Sequence, residues 1–227
     1  MNRVITIERS ADTSERLDAA RFREMMRDRG TLVVNLMSSP GSGKTSLLES
    51  TAKRLQGRYG MAVLVGDIAT DRDAQRLAPW MPAIQLTTGG ACHLPRSLVQ
   101  QGWERLDTQP LDFLFIENVG NLVCPSSHDL GEHLRVVILA TTEGDDKPAK
   151  YPKAFRTSQA LVISKLDLLP YVPFSVDAAT RDALEIRPDL DLFPLSALRD
   201  EGVDRWCDYL TRTRERLLAP DSPPSDR

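Results

Sequence analysis

A glycine-rich stretch, SSPGSGKTSLL at residues 38–48, directly follows the apolar run LVVNLM at 32–37. A tight turn from a buried strand into a helix leaves several backbone N–H groups pointing outward at the positive end of the helix dipole, an arrangement suited to phosphate. Gly41 and Gly43 permit the turn, Lys44 is placed to set its ammonium between terminal phosphates, and the Thr45 hydroxyl is placed to bind magnesium. These residues follow the phosphate-loop pattern G-x-x-x-x-G-K-[ST], with Ser38 where the pattern has its first glycine. The nucleotide contacts expected in the loop are Gly41, Ser42, Gly43, Lys44, Thr45 and Ser46. They point to a nucleoside triphosphate and are silent on its base.

The rest of the chain repeats this alternation of apolar run and helical pattern. Strands are expected at 32–37, 61–65, 83–86, 111–117, 134–141, 160–164 and 192–195. The fold class is therefore α/β: a single P-loop NTPase domain with a mostly parallel seven-stranded sheet and helices on both faces. Ahead of the sheet, DTSERLDAARFREMMRDRG puts Ala19, Phe22 and Met26 on one helical face and stops at Gly30. An amino-terminal segment with this leading helix fills 1–30, and the nucleotide-binding domain fills 31–218. Its last helix, over 202–218, buries Val203, Trp206 and Leu210, whereas APDSPPSDR at 219–227 has too little apolar content to fold and is expected to be a disordered tail.

Composition removes several classes of function. With 29 Lys and Arg against 32 Asp and Glu, the chain lacks the broad basic field that nucleic-acid binding needs, so no nucleic-acid partner is expected. Neither a membrane-length apolar stretch nor the apolar segment of a signal peptide occurs, and a cytoplasmic protein without a membrane partner is expected. Cys92, Cys124 and Cys207 are an odd set that argues for free thiols or metal ligands over a disulfide framework.

The base is addressed further along the sheet. LVISKLDLLP sets Lys165 and Asp167 just past a strand, where ligands bind in parallel sheets. Guanine offers adjacent N1–H and N2–H donors that one carboxylate accepts together, whereas adenine presents an acceptor at N1. Asp167 thus selects guanine, the Lys165 stem can lie over the base, and a backbone N–H of Ser196 or Ala197 can reach O6. The stretch is similar to the N-K-x-D and S-A motifs of GTPases, with Ser164 in place of Asn. LFIENVG ends a strand with Glu117, which is placed to hold the magnesium shell alongside Thr45, and Gly120 can offer its N–H to the γ-phosphate. Asp67, at the end of the second strand, is the candidate for orienting the attacking water or the magnesium; Asp71 and Asp73 also suit the start of a helix. The expected catalytic set is Lys44, Asp67 and Glu117.

One cluster is foreign to GTP chemistry. TTGGACHLPRSL pairs Cys92 with His93 after Gly89 and Gly90, and GNLVCPSSHDLGEH adds Cys124 after the Glu117 strand, with His128 and His133 near enough to approach. Thiolate and imidazole suit nickel and zinc. Cys207, beside Trp206, reads as core.

Together, SSPGSGKT, GACHL, IENVGNLVCP, DLGE, TEGDDKPAKYP and LLPYV closely resemble the HypB-type nickel-insertion GTPases of [NiFe]-hydrogenase maturation, over about residues 14–215. The resemblance implies a GTPase that delivers nickel to a hydrogenase large-subunit precursor, helped by a second accessory protein. It also implies that Cys92, His93 and Cys124 bind nickel or zinc at a dimer interface. Members of the family can carry a cysteine-rich or His-rich amino terminus; MNRVITIERSADTSER has neither, so a separate metal store at the front is not expected. Three ligands fall short of the four that zinc or square-planar nickel takes, so a homodimer favoured by GTP would complete the shell. A urease-type accessory GTPase has Cys-Pro-His where this chain reads GACHLP. Two other readings are a nucleotide-switched metal carrier with negligible hydrolysis and a small-molecule kinase, which would have no use for Lys165 and Asp167. Because no arginine finger is evident, hydrolysis is expected at about 10⁻⁴ to 10⁻² per second.

Overall fold

The computed structural model describes residues 8–67, 71–106 and 110–219, with side chains described from residue 14. Helix α1 (Glu8–Asp28) precedes β1 (Leu32–Ser38), the phosphate loop and α2 (Lys44–Leu55). Next come β2 (Met61–Asp67), α3 (Arg72–Leu77), β3 (Ala83–Thr87), α4 (Arg96–Arg105) and β4 (Phe113–Glu117). After a 3₁₀ turn at Pro125–Ser127, β5 (Leu134–Ala140) leads to α5 (Lys147–Lys150), α6 (Pro152–Thr157) and β6 (Ala160–Ser164). A second 3₁₀ segment, Leu166–Tyr171, joins α7 (Val176–Ile186), β7 (Asp191–Pro194) and α8 (Val203–Leu218).

The strands form one sheet in the order β3-β2-β4-β1-β5-β6-β7, and every pairing in it is parallel. All seven residues of β1 are buried, as expected for a parallel strand covered on both faces. Alternate side chains divide between those faces: Leu32, Val34 and Leu36 pack with Leu47, Leu48 and Trp206 under α2 and α8, while Val33 packs with Phe22 and Met26 of α1. The leading helix is held at its sheet-facing side by the DLGE block. Asp129 accepts from Arg23 Nη2 at 2.5 Å, and Gly131, at φ +83°, would press a Cβ against Ala19 O at 2.8 Å.

Several boundaries differ from the sequence reading. The leading helix starts four residues before Asp12, at Glu8. Strand β4 starts at Phe113 rather than 111, because Thr31 Oγ1 takes the Leu111 carbonyl and the Asp112 carboxylate accepts from Gly60 N, which makes this stretch a turn. Strand β2 continues to Asp67, where it still pairs with Thr87 of β3. Strand β5 stops at Ala140, and β7 is displaced by one residue at each end to Asp191–Pro194. Residues 220–227 of the expected tail lie outside the described residues. Among the described residues no helix is long and apolar enough to cross a membrane.

Candidate functional site

The phosphate loop leaves β1 at Ser38 and enters α2 at Lys44. Gly41 and Gly43 stand at φ +73° and +92°, left-handed conformations that a Cβ would strain. No side chain caps α2, whose first turn therefore presents its N–H groups to an anion. Lys44 Nζ donates to Ser38 Oγ at 2.9 Å, the hydroxyl at the position of the missing first glycine. Ser46 accepts from Arg76 of α3 at 3.3 Å.

Behind the loop, Thr45 Oγ1 donates to Glu117 Oε1 at 2.8 Å. The strands on either side of β4 set this contact, since Glu117 stands level with Leu36 of β1 and Val65 of β2. Asp67 lies two residues beyond Val65, at the carboxyl end of β2. The second Glu117 oxygen is buried with no hydrogen-bond partner among the described residues. A buried, unpaired carboxylate oxygen beside a threonine hydroxyl fits a hard cation that prefers oxygen ligands, so this pocket suits magnesium. Burial lowers the Lys44 pKa, against the opposing pull of Glu117, Asp73, Glu143 and Asp67.

Burial also pushes the Glu117 carboxyl up to about 7, against the pull of Lys44 and the Thr45 hydroxyl. An acid whose pKa rises on folding holds its proton more tightly in the folded state. Its contribution to stability is complete below the unfolded value of about 4.5 and is lost as pH rises through about 7. The nucleotide-free protein is therefore expected to melt at a higher temperature near pH 5 than near pH 8, with this one group contributing at most ~3 kcal/mol to the difference. Thermal melts of the parent and Glu117→Gln check this, because the variant should show a flatter pH profile.

Gly120 follows β4 and passes close to the loop. A Cβ there would meet Pro40 Cα at 2.9 Å and Pro40 N at 3.0 Å, so only glycine allows the two backbones to approach. Its N–H is thereby brought beside the phosphate loop.

On the other side of β1, Lys165 adopts φ +60° at the end of β6, and its Cε lies 4.0 Å from where a Gly43 Cβ would stand. Asp167 is buried and accepts from Ser196 Oγ at 2.6 Å, so the Ser196 hydroxyl fixes the carboxylate while both backbone N–H groups of the Ser196-Ala197 pair are separate from that bond. The Ser196 N–H itself donates to Glu201 O at 2.9 Å, which leaves Ala197 as the better placed of the two for O6.

Two residues in this region make contacts that sequence reasoning did not foresee. Ser164 donates its hydroxyl to Ser42 O at 2.7 Å and so ties the end of β6 to the phosphate loop. The departure from Asn at this position thus still supplies a donor to the loop. Glu143 accepts from Ser42 Oγ at 2.8 Å and from Ala140 N at 3.2 Å. The TEGDDKP block contains Glu143, but no spacing rule marks a residue that reaches the loop from 101 positions away.

Cys92 and His93 sit on the loop between β3 and α4, which Leu94 anchors by packing against Gly66 so closely that a Cβ there would lie 2.7 Å from Leu94 Cδ1. Cys124 sits on the loop after β4. The two loops are joined by Asn121 Nδ2, which donates to Cys92 O at 3.1 Å. Hydrogen bonding to the Cys124 thiol, together with desolvation, holds the exposed Cys92 thiol above its ordinary pKa. Cys92 Sγ lies 3.9 Å from His93 Nδ1, close to the edge of about 3.6 Å expected for sulfur and nitrogen on one tetrahedral zinc. Among the described residues, however, no three His, Cys, Asp or Glu side chains already encircle a point that holds a metal. Cys207 is buried in the core under α8, and burial pushes its thiol up to about 12. His133 is also structural: it accepts from Val33 N at 3.0 Å, lies 2.9 Å from Arg23 O, and burial pushes it down to about 4.

Residues 32–194 match the family described as CobW/HypB/UreG, nucleotide-binding domain. The hydrogenase maturation factor HypB of Escherichia coli K12 is 45% identical over 204 residues, which are 89% of this chain and 70% of that protein. The crystal structure of HypB from Helicobacter pylori in complex with nickel superposes with a TM-score of 0.85 at 36% identity, covering 92% of this chain and 99% of that one. For the hydrogenase maturation factor HypB from Archaeoglobus fulgidus the TM-score is 0.83 at 34% identity, over 89% and 99% of the two chains. With an all-parallel sheet, a phosphate loop on its central strand and these likenesses across nearly its whole length, the chain belongs to the HypB family of the CobW/HypB/UreG group.

Proposed function

We propose that this chain is a magnesium-dependent GTPase that uses its nucleotide cycle to load and deliver nickel to a [NiFe]-hydrogenase large-subunit precursor, working in the cytoplasm as a homodimer with a second accessory protein. The observation that carries the reading is continuity: β4 ends at Glu117, under the phosphate loop, and the same segment reaches Cys124 seven residues later. A change at the γ-phosphate therefore has a short covalent route to a metal-binding thiol. The family's hydrogenase maturation factors and the nickel-bound Helicobacter pylori relative support nickel as the cargo.

Gly41, Ser42, Gly43, Lys44, Thr45 and Ser46 hold the triphosphate. Their backbone N–H groups and the Lys44 ammonium stabilise charge that develops on the phosphate oxygens. Thr45, Glu117 and Asp67 would hold magnesium, which when bound neutralises charge on the terminal phosphates. Asp67 orients the attacking water, Gly120 N–H meets the γ-phosphate, and Asp167 with Lys165, Ser196 and Ala197 holds guanine. Cys92, His93 and Cys124 take the nickel, or zinc in its place, and a second copy of the chain completes the shell at the interface.

Asp167 supplies the test of the base. One carboxylate accepting two donors discriminates by about 1–3 kcal/mol, roughly 5- to 150-fold. Asp167→Asn is expected to weaken GTP and to strengthen xanthosine triphosphate, because xanthine has a carbonyl where guanine has an amine. Competition binding of the two nucleotides measures it, and an unchanged ratio would place the base elsewhere.

A further inference from the structure

We propose that His128 is a positioning residue for nickel: it holds the His93 ring and the Cys124 backbone in one arrangement and does not itself bind the ion. The inference deepens the nickel reading given above and rests on it. His93 and His128 stack with ring centroids 3.8 Å apart and planes 11° from parallel. His128 Nδ1 lies 2.9 Å from Cys124 O. A carbonyl only accepts, so this nitrogen carries the proton and its position in the ring is set by the backbone of a proposed ligand.

The contacts form a closed circuit through both loops. Cys92 and His93 are neighbours in sequence, Asn121 donates to the Cys92 carbonyl at 3.1 Å, Asn121 leads three residues on to Cys124, the Cys124 carbonyl holds His128, and His128 covers the face of His93. A half-buried imidazole on a loop can otherwise turn about its own bonds, and the stack limits that freedom, keeping Nδ1 on the Cys92 side. Partners that orient a ligating histidine in this way usually matter to metal affinity about 10–100-fold when removed.

The same geometry excludes His128 from the shell that contains His93. An imidazole lone pair lies in the ring plane, and a bound metal sits about 2.0–2.1 Å from the nitrogen along it. The planes of two rings stacked 11° from parallel, with centroids 3.8 Å apart, share no such point near both nitrogens. One histidine binds and the other supports it.

The test compares nickel affinity and the nickel X-ray absorption spectrum for the parent, Cys92→Ala, His128→Ala and His128→Phe, with thermal melts to confirm folding. His128→Ala is expected to bind nickel about 10-fold more weakly. His128→Phe keeps a flat ring over His93 and should recover most of that loss, with the same number of imidazoles per nickel as the parent. If His128→Ala does not fold, His128→Leu, which fills the space without a flat ring, should show the same 10-fold loss. Parental affinity in the Ala or Leu variant would overturn the proposal, as would the loss of one imidazole from the spectrum of His128→Phe. Parental affinity in Cys92→Ala strikes the nickel reading itself, so the two failures are distinguishable.

Discussion

Lys44→Ala is expected to abolish GTP hydrolysis, with a fall of at least about 10²- to 10³-fold in the single-turnover rate. The Lys44 ammonium is buried in a field of carboxylates from Glu117, Asp73, Glu143 and Asp67. It is the cation in the phosphate loop that faces them. Removing it takes away the charge that offsets the developing negative phosphate and leaves acidic groups close to where the triphosphate must sit. The same substitution removes the interaction that opposes the rise of the Glu117 pKa, so Glu117 should hold its proton to still higher pH and become a poorer partner for magnesium. Phosphate release after rapid mixing checks the prediction. A parental rate in Lys44→Ala would show that the loop does not carry the reaction.

The second large effect lies at the thiols. Cys92→Ala and Cys124→Ala should each weaken nickel binding by at least about 100-fold, more than loss of the supporting His128, because each removes a proposed ligand rather than its orienting partner. The two cysteines stand on separate loops that Asn121 joins through the Cys92 carbonyl, a backbone contact that neither substitution removes. Guanine-nucleotide affinity in the absence of metal should be unaffected by Cys92→Ala, since the Leu94 anchor and the phosphate loop are untouched. Isothermal titration with nickel and then with GDP separates the two effects. Parental nickel affinity in both cysteine variants would put the metal elsewhere.

The sheet was legible in the sequence because its strands are apolar on both faces and bounded by helical patterns, so each apolar run had one reading. Strand ends were less legible, since they depend on distant partners. Leu111 looks like strand, yet the Thr31 hydroxyl takes its carbonyl, and Asp67 looks like the start of a loop, yet Thr87 pairs with it. The phosphate loop was readable because its chemistry is local: a short run supplies the turn, the ammonium and the hydroxyl. The reach of Ser164 to Ser42, Glu143 to Ser42 and His128 to His93 was not, because each contact joins segments whose closeness only the fold decides. Cys92 and Cys124 fall between these cases. Their residue types suggested a metal, and the fold brings the thiols together.

In the proposed function, nucleotide state and nickel binding are coupled through the segment from Glu117 to Cys124. Nickel titration of the parent protein, once with GDP and once with a non-hydrolysable GTP analogue, with solution mass recorded in parallel, tests it directly. We expect at least about 5-fold tighter nickel with the analogue, an equal strengthening of analogue binding by nickel, and a dimeric mass only in that state. Equal nickel affinity and equal mass with the two nucleotides would contradict the coupling, even if GTP hydrolysis and nickel binding were each intact.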